Sequence, residues 1–576
     1  MIKIGILIDG FEQPLWVNEI VDRILKDSSL NLSLVVLKNN KSQTDNNNLL
    51  NRFFEIKYYP YFLIKIINKF IYKYIIKNND YVNLFSNLSI ESKLSLNSTP
   101  ILRVEVIENK FTDEFKSGDI DNIAQHECDL FIRFGFRILK GGILNLPKLG
   151  IWSLHHGDTK DSRGGPAGFW EFIEKKNTTA ATLQILSEVL DGGLVLDKVS
   201  VQTNKINYFS NISTLYANAA GMLWDNLEKF KILGIENYLV KIDKLRKSRD
   251  IDIYSYPIFK RPTFLKGFIL LFKLLVGYFY LAVYKFWYFE QWQLCYKFLK
   301  TNDNIHLNLY NFKRIIPPFD RYFADPFVIE HDDTIYVFIE EVIFSQNKGT
   351  IALLEINKIS KKVIYKGKIL EESFHMSFPN VFFLNGEYYM IPETQKANQI
   401  RMYKAQKFPY EWTLERVLID NIHAVDPVLH IHDGVFWLLV NESTFLGASP
   451  SSNLNLYYTD NLFEGEFKKF VNNPVSSDIK FSRNAGAIFK LANKTFRPSQ
   501  DCSERYGYSV NINEIVEINK ESYTETLRDV ILPKWDNSVK AVHTLSISEN
   551  IVFVDIDRRI PRISKIFNLF FKKELS

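Results

Sequence analysis

After residue 320 the chain repeats one degenerate unit, an apolar strand opened by a short polar or Pro-containing string and returned through a tight turn. The clearest copies are Phe323-Ala324-Asp325-Pro326-Phe327-Val328-Ile329 running to Val337-Phe338, Ser377-Phe378-Pro379-Asn380-Val381-Phe382-Phe383 running to Met390-Ile391, and Ala424-Val425-Asp426-Pro427-Val428-Leu429 running to Trp437-Leu438. Weaker copies run from Ser482 to Arg497 and from Ala541 to Val554. Apolar runs joined through Asp-Asp, Asn-Gly or Asp-Gly predict a β-hairpin in each copy. The copies start at Asp325, Pro379, Asp426, Asn484 and His543. An interval of roughly 50 to 60 residues suits four strands, and such units bury their faces by stacking around an axis as the blades of a propeller. Five copies predict five blades, with Phe286 to Leu299 supplying a strand that closes the ring.

The first 235 residues follow another pattern. Ile2 to Ile8 is an apolar run of strand length, Pro14 to Lys26 has helical spacing (Leu15, Ile20, Val21, Ile24, Leu25), and Leu32 to Leu37 supplies the next strand. Leu130 to Phe134 ends in Gly135-Phe136-Arg137, and Ile143 to Ile151 leads into a histidine turn, so buried strands feed loops at their carboxyl ends, where α/β folds build ligand sites. No Gly-x-Gly-x-x-Gly follows the first strand, so there is no dinucleotide fingerprint. The N-terminus lacks the features of a signal peptide. Cys128, Cys295 and Cys502 are too scattered for a disulfide framework or zinc ribbon, which predicts a reducing, cytoplasmic setting. With 71 basic against 66 acidic residues, the net charge of +5 forces no nucleic-acid partner.

One stretch concentrates chemistry: Gly150-Ile151-Trp152-Ser153-Leu154-His155-His156-Gly157-Asp158, then Arg163-Gly164-Gly165-Pro166, then Leu190-Asp191-Gly192-Gly193. A histidine on a Gly-rich turn with an acid one strand-turn-strand later makes a proton-transfer pair. The plainer alternative is two histidines on a polar turn. No metal is expected, because Cys or Glu at ligand spacing is missing beside them. Arg163 and the glycines before an expected helix at Gly168 to Lys176 could hold an anion through backbone N–H groups, or form a simple loop.

On these residues the segment Asp129 to Asp197 resembles the formyltransferases that use N10-formyltetrahydrofolate, with Gly150, His155, Arg163-Gly164, Pro166, Asp191 and Gly193 in register with the family pattern. The resemblance implies an α/β Rossmann-like domain and His155, Asp191 and the residue at Ser153 as catalytic groups. It further implies His156, Arg163 and Gly164 at the substrate, and a folate-lining segment of Phe134, Gly135, Phe136, Ile138 and Leu139. Formyl transfer to an amine needs a donor to the tetrahedral oxyanion and a proton acceptor, roles that fall to His155 and Asp191. Ser153 stands where the family carries Asn, a shorter donor that weakens or abolishes the reaction, with His156 in a position to compensate.

In the propeller, Asp325, Asp426, Arg483 and His543 open blade units, and Glu340, Glu341, Glu393 and Asp501 end second strands, with Arg497 nearby. First strands line a central channel, and convergent carboxylates there predict carbohydrate chemistry. For Asp325 and Asp426 the alternative is a turn-capping role before Pro. The strings Phe-Ala-Asp-Pro-Phe and Tyr-Met-Ile-Pro-Glu resemble five-bladed glycoside-hydrolase-type propellers and, more closely, the N-terminal domain of plant glucosamine inositolphosphorylceramide transferases, which implies glycan association.

Phe264 to Trp287 is the most apolar segment, interrupted between Gly267 and Tyr284 by Lys273 alone. It is open to three readings: an interdomain helix packed on protein, an in-plane membrane helix, or a span at the short limit of length. The expected architecture is an α/β Rossmann-like formyltransferase domain (1–235), an apolar helical connector (236–288), and an all-β five-bladed propeller (289–576). The leading expectation is N-formylation of an amino sugar, nucleotide-linked, in surface glycan synthesis, with a glycan at the propeller and peripheral membrane contact open. The alternatives are a propeller-centred glycosidase or glycosyl-transfer protein with a degenerate first domain, and a non-catalytic glycan-binding scaffold.

Overall fold

The computed structural model describes residues 1–39, 56–76, 83–109, 111–160, 163–188, 192–248, 258–299 and 309–564. The chain divides into two compact units, Met1–Val276 with Thr444–Ser449, and Gly277–Ser443 with Pro450–Ser576.

The first unit is built on β1 (Ile2–Ile8), α1 (Leu15–Lys26), β2 (Leu30–Lys38), α2 (Tyr59–Ile71), β3 (Ile101–Val104), β4 (Leu130–Arg133), β5 (Ile151–His155), α3 (Phe169–Ile173), β6 (Thr178–Ile185), β7 (Leu194–Gln202), α4 (Tyr208–Lys247) and the start of α5 (Phe264–Trp287). Its sheet has the order β7-β6-β5-β4-β1-β2-β3. The five strands from β5 to β3 are parallel, and β6 and β7 return antiparallel. Because the chain leaves β1 outward to β2 and β3 and then crosses back to β4 and β5, the order reverses between β1 and β4, the place where open α/β sheets form a ligand crevice. Short helix α3 ends at Ile173 instead of running to Lys176. α4 turns sharply at Gly234 (φ 73°), yet Tyr238 and Ile242 beyond the turn lie in the core. The α/β unit therefore continues past the expected boundary at residue 235, because the second half of α4 carries its own buried face.

The second unit opens with β8 (Tyr288–Phe298) and continues as four successive antiparallel sheets. They are β9 (Arg321–His331), β10 (Thr334–Ile343), β11 (Lys348–Asn357) and β12 (Val363–Leu370); β13 (Ser377–Leu384), β14 (Glu387–Glu393), β15 (Gln399–Lys407) and β16 (Glu411–Asp420); β17 (Ala424–His432), β18 (Val435–Glu442), β19 (Leu454–Thr459) and β20 (Lys468–Lys469); and β21 (Phe489–Leu491), β22 (Lys494–Asp501), β23 (Ser509–Ile518) and β24 (Tyr523–Ile531). A fifth sheet joins β8 to β25 (Val539–Ala541), β26 (Leu545–Ile547) and β27 (Ile551–Pro561), with β8 and β27 paired along their whole length.

Hydrogen bonds between neighbouring sheets go full circle. Phe378 N–H donates to Asp325, Leu429 N–H to Asn380, Asn484 Nδ2 to the Asp426 carbonyl, Leu545 N–H to the Ala485 carbonyl, and Asp325 N–H to Asp555. Five antiparallel sheets linked edge to edge around a closed ring make a five-bladed propeller. The fourth copy departs from the hairpin expectation: residues 482–488 meet β22 at the isolated bridge Asn484–Ser499 and through side-chain hydrogen bonds from Arg497 and Gln500, and regular pairing begins at Phe489.

Three blades open on the same irregularity. The ladder skips between Ala324 and Phe327, Ser377 and Asn380, and Val425 and Val428. At each skip the residue before proline has positive φ: Asp325 (50°), Phe378 (48°) and Asp426 (48°). Such a bulge re-aims one side chain and is strained for a residue with a Cβ. Two bulges carry acids and the third a phenylalanine packed on Phe327 at 4.9 Å between ring centroids. The bulge therefore belongs to the blade, and the acid is an additional choice.

Candidate functional site

The propeller encloses a cavity of about 150 Å³ lined by Trp292, Tyr322, Ala324, Asp325, Glu340, His375, Ser377, Glu393, Asp426, Arg483, Tyr506 and His543. Nearly all of this wall is polar or aromatic, and the volume falls below the roughly 300–1,000 Å³ of pockets that enclose drug-sized ligands. It suits one small polar ring.

On one side stands Asp325. Its Oδ1 accepts from Thr544 Oγ1 at 2.8 Å and faces His543 Nε2 at 3.4 Å, while Oδ2 accepts the Phe378 N–H at 3.2 Å. His543 stacks on Trp292 with centroids 4.0 Å apart, and its Nδ1 pairs with Asp555 at 2.7 Å. Burial disfavours the imidazolium, but Asp555 and Asp325 outweigh it and lift His543 to about 9. Burial likewise pushes the Asp325 carboxyl up, against the opposing pull of His543.

Ligand atoms of Asp325, His543 and Asp555 lie within 4.8 Å of one another, close enough to share a divalent ion. Asp555 also accepts the N–H groups of Asp325, His543 and Thr544, so the trio ties the fifth blade to the first.

Across the cavity, Arg483 Nε pairs with Asp426 Oδ2 at 2.7 Å. The same guanidinium donates to Ser451 Oγ at 2.9 Å and lies 4.9 Å from the Tyr506 ring centroid. Glu393 sits beside Asp426, and burial, reinforced by that neighbouring carboxylate, raises its carboxyl well above the usual range. A third group, Glu340, accepts from Tyr322 Oη at 3.1 Å and pairs with His375 Nε2 at 3.2 Å. His375 Nδ1 accepts the Gly349 N–H at 2.9 Å, which places the ring proton on Nε2, facing Glu340.

The structure thus gathers Asp325, Glu340, Glu393, Asp426, Arg483 and His543, and leaves three other expected residues outside the cavity. Glu341 follows Glu340 on β10 and so faces the opposite side of the sheet, where it binds Arg321 and Tyr365, each at 2.8 Å. Arg497 is fully buried against Glu525 at 2.6 Å, closing the fourth blade internally. Asp501 caps the backbone at Ser503. Sequence reasoning missed His375, Tyr506, Trp292 and Tyr322 as cavity groups. Tyr322 borders the Phe-Ala-Asp-Pro-Phe string and His375 precedes the second repeat, so adjacency to the repeat was the available signal; nothing local marks Tyr506.

The N-terminal candidates occupy a different environment. Every N–H from Phe134 to Ile138 is already engaged: Phe134 and Gly135 donate to the Leu7 carbonyl, Phe136 to Asp9 at 2.5 Å, Arg137 to Asp113, and Ile138 to the Phe111 carbonyl. A Cβ on Gly135 would sit 2.5 Å from the Asp9 nitrogen, so β4 closes directly onto the end of β1. Phe136 and Leu139 turn their side chains into the core. The N–H groups of the expected folate-lining segment are therefore all taken by the chain itself.

Ser153 is buried and its Oγ accepts from Arg133 Nε at 3.2 Å, so it does not face an open site. His155 ends β5, and Asp191 lies outside the described residues. His156 stacks face to face on Tyr216 at 3.6 Å, with Trp16 edge-on at 6.0 Å. Burial, then the adjacent His155, lowers it to about 3, so it is a neutral packed ring. Phe259 N–H donates to the Arg163 carbonyl at 2.8 Å, and Gly165 N–H to the Phe259 carbonyl at 3.1 Å. Gly164 (φ 93°) has no Cβ because the Phe259 carbonyl fills that place. This strand-like contact takes the amide expected to hold an anion. The space left beside His156, Arg163 and Phe259 is about 10 Å³, room for one water.

Residues 317–544 match the family described as glucosamine inositolphosphorylceramide transferase 1, N-terminal. That match is confined to the propeller. The chain is 35% identical over 204 residues to glucosamine inositolphosphorylceramide transferase 1 of Oryza sativa subsp. japonica, which covers 35% of this chain and 27% of the relative. It thus spans about a quarter of the length of that relative. Methionyl-tRNA formyltransferase of Prochlorococcus marinus (strain MIT 9312) is 28% identical over 121 residues, covering 19% of this chain and 36% of that one. Among solved structures, the GH43_1 enzyme from Xanthomonas citri complexed with xylose aligns at 13% identity with a TM-score of 0.32, covering 42% of this chain and 87% of that chain.

Proposed function

We propose that the propeller cavity is the reacting centre of this protein and that it transfers a glycosyl unit, with Glu393 as general acid and Asp325 as general base. The observation that carries the reading is the Glu393 carboxyl, buried beside Asp426 and so raised above the usual range, on the wall of a polar cavity that Asp325 also lines. A protonated carboxyl and a second carboxylate flanking one bond are what glycosidic chemistry requires. In the step, Glu393 gives its proton to the departing oxygen as the anomeric C–O bond breaks. Asp325 takes the proton of the incoming hydroxyl as the new C–O bond forms. Arg483 holds Asp426 in place, and Trp292 and Tyr506 offer apolar faces for a sugar ring. The likeness of residues 317–544 to part of a transferase favours an alcohol acceptor over water.

Incubating the full chain with a panel of nucleotide sugars and aryl glycosides tests the reading. Turnover that disappears in Glu393→Gln and in Asp325→Asn supports it; turnover that survives both substitutions overturns it.

A second reading, formyl transfer from N10-formyltetrahydrofolate to an amino sugar, is favoured by His155 at the carboxyl end of a parallel strand and by the partial likeness to methionyl-tRNA formyltransferase. The engaged amides of 134–138 weigh against it. Calorimetric titration with the folate separates the readings, since only the second expects heat of binding at the first unit.

A further inference from the structure

Among the described residues, helix α5 is a long apolar element left mostly exposed. Only Gly267 and Leu271 are buried in it, and its eighteen-residue apolar window is 6% buried. The reading of a helix packed on protein is therefore overturned for most of its surface. One narrow stripe does pack: Gly267 lies against Pro60 of α2, and Leu271 joins a cluster with Tyr61 and Trp170. At 3.6 residues per turn, Phe272, Val276, Phe279 and Val283 fall on the side away from that stripe with Phe268 and Phe286 on its flank, all exposed, with Phe272 at 63% and Phe279 at 73%. Water-soluble surfaces rarely leave a continuous apolar face of that length bare.

The charge around this face names its occupant. From Ile258 to Phe289 the chain carries Lys260, Arg261, Lys266, Lys273 and Lys285 and no acid. Neighbouring α2 and its flanks, residues 57–74, add Lys57, Lys65, Lys69 and Lys73, again with no acid, beside exposed Ile66, Phe70 and Tyr74. Lys273 falls on one flank of the apolar face, where its long side chain can reach headgroups while the aromatics enter the acyl boundary, and Lys266 lies over the Trp170 ring at 4.3 Å. The helix ends in Tyr284, Phe286 and Trp287, residue types that favour the membrane–water interface.

We propose that α5 lies in the plane of an anionic membrane, with its Phe272–Phe279 face in the acyl boundary and its lysines on lipid headgroups. An in-plane pose fits better than a span because the stripe at Gly267 and Leu271 is covered by α2, a helix carrying Lys65 and Asn68, and because Lys273 sits near the helix midpoint. The inference is independent of what reacts in the propeller.

Flotation of the full chain with phosphatidylcholine vesicles, with and without phosphatidylglycerol, tests it. The expected result is flotation with the anionic vesicles, weak or no flotation with the neutral ones, and release by alkaline carbonate. Phe272→Glu with Phe279→Glu removes flotation, and Lys273→Ala weakens it about fivefold on anionic vesicles alone. Both phenylalanines stand clear of the core, so circular dichroism of the double variant matches the parent. As a check needing no charge reversal, Trp287 emission, obtained by difference from Trp287→Phe, is quenched more by bromine near the carbonyl end of the acyl chain than at its methyl end. Four results overturn the proposal: no flotation with anionic vesicles, retention after carbonate as for a spanning helix, deeper bromine quenching better, or the double variant dissociating an oligomer while vesicles leave the parent unbound.

Discussion

The propeller cavity and the His155–His156 turn both place imidazoles near the ends of buried strands, yet they treat that group in opposite ways. His543 lies between two carboxylates and is lifted to about 9, whereas His156 is pressed against Tyr216 and lowered to about 3. Around His543 there remains about 150 Å³ of polar space; around His156 there is about 10 Å³. A motif names residue types, but a charge survives burial only where partners of opposite sign come with it. The propeller supplies such partners from all around its ring. The α/β unit supplies aromatics.

The largest effect expected to test this contrast is on turnover. Glu393→Gln lowers glycosyl transfer by about 10²–10⁴-fold, the usual contribution of a general acid, while His156→Phe leaves it unchanged; initial rates on one substrate measure both. Next comes Arg497→Met, which strands Glu525 and lowers the urea-derived stability of the propeller by about 3–5 kcal/mol. Glu341→Gln costs less, about 1.5–3 kcal/mol, because its partners Arg321 and Tyr365 keep other contacts, and it spares turnover because it lies outside the cavity.

The smallest effect, and the sharpest comparison, is in pH dependence. His543 is raised above the ordinary 6.5, so its contribution is complete below 6.5 and is lost as pH climbs through about 9. His156 is depressed, so its unfolded form takes a proton first and stability is lost as pH falls from 6.5 toward about 3. Thermal melts across pH should lose the alkaline slope in His543→Gln and the acid slope in His156→Phe. Both slopes surviving both substitutions would break the comparison.

Much of the propeller is readable because its repeats place Asp325 and Asp426 at the same point of the first and third blades, and a bulge before proline recurs with them. Strand parity is not readable. Glu340 and Glu341 are chemically alike and adjacent, and only the register of β10 decides which one faces the cavity. In the α/β unit the histidine turn is visible, but its closure comes from Tyr216 and Phe259, which lie about 60 and 100 residues further along the chain. No local pattern links them to His156. For α5, hydropathy alone describes a buried core helix and an exposed one equally well, so the bareness of its face emerges only from the fold.

The pairing of β8 with β27 brings together residues more than 250 positions apart, Tyr288 opposite Pro561 and Phe298 opposite Ile551. A nascent chain leaving the ribosome therefore carries four finished blades that gape until the last strand emerges. Before that moment the edge of β8 is open to any passing strand, and a stop codon ahead of Ile551 would leave a latch with nothing to catch.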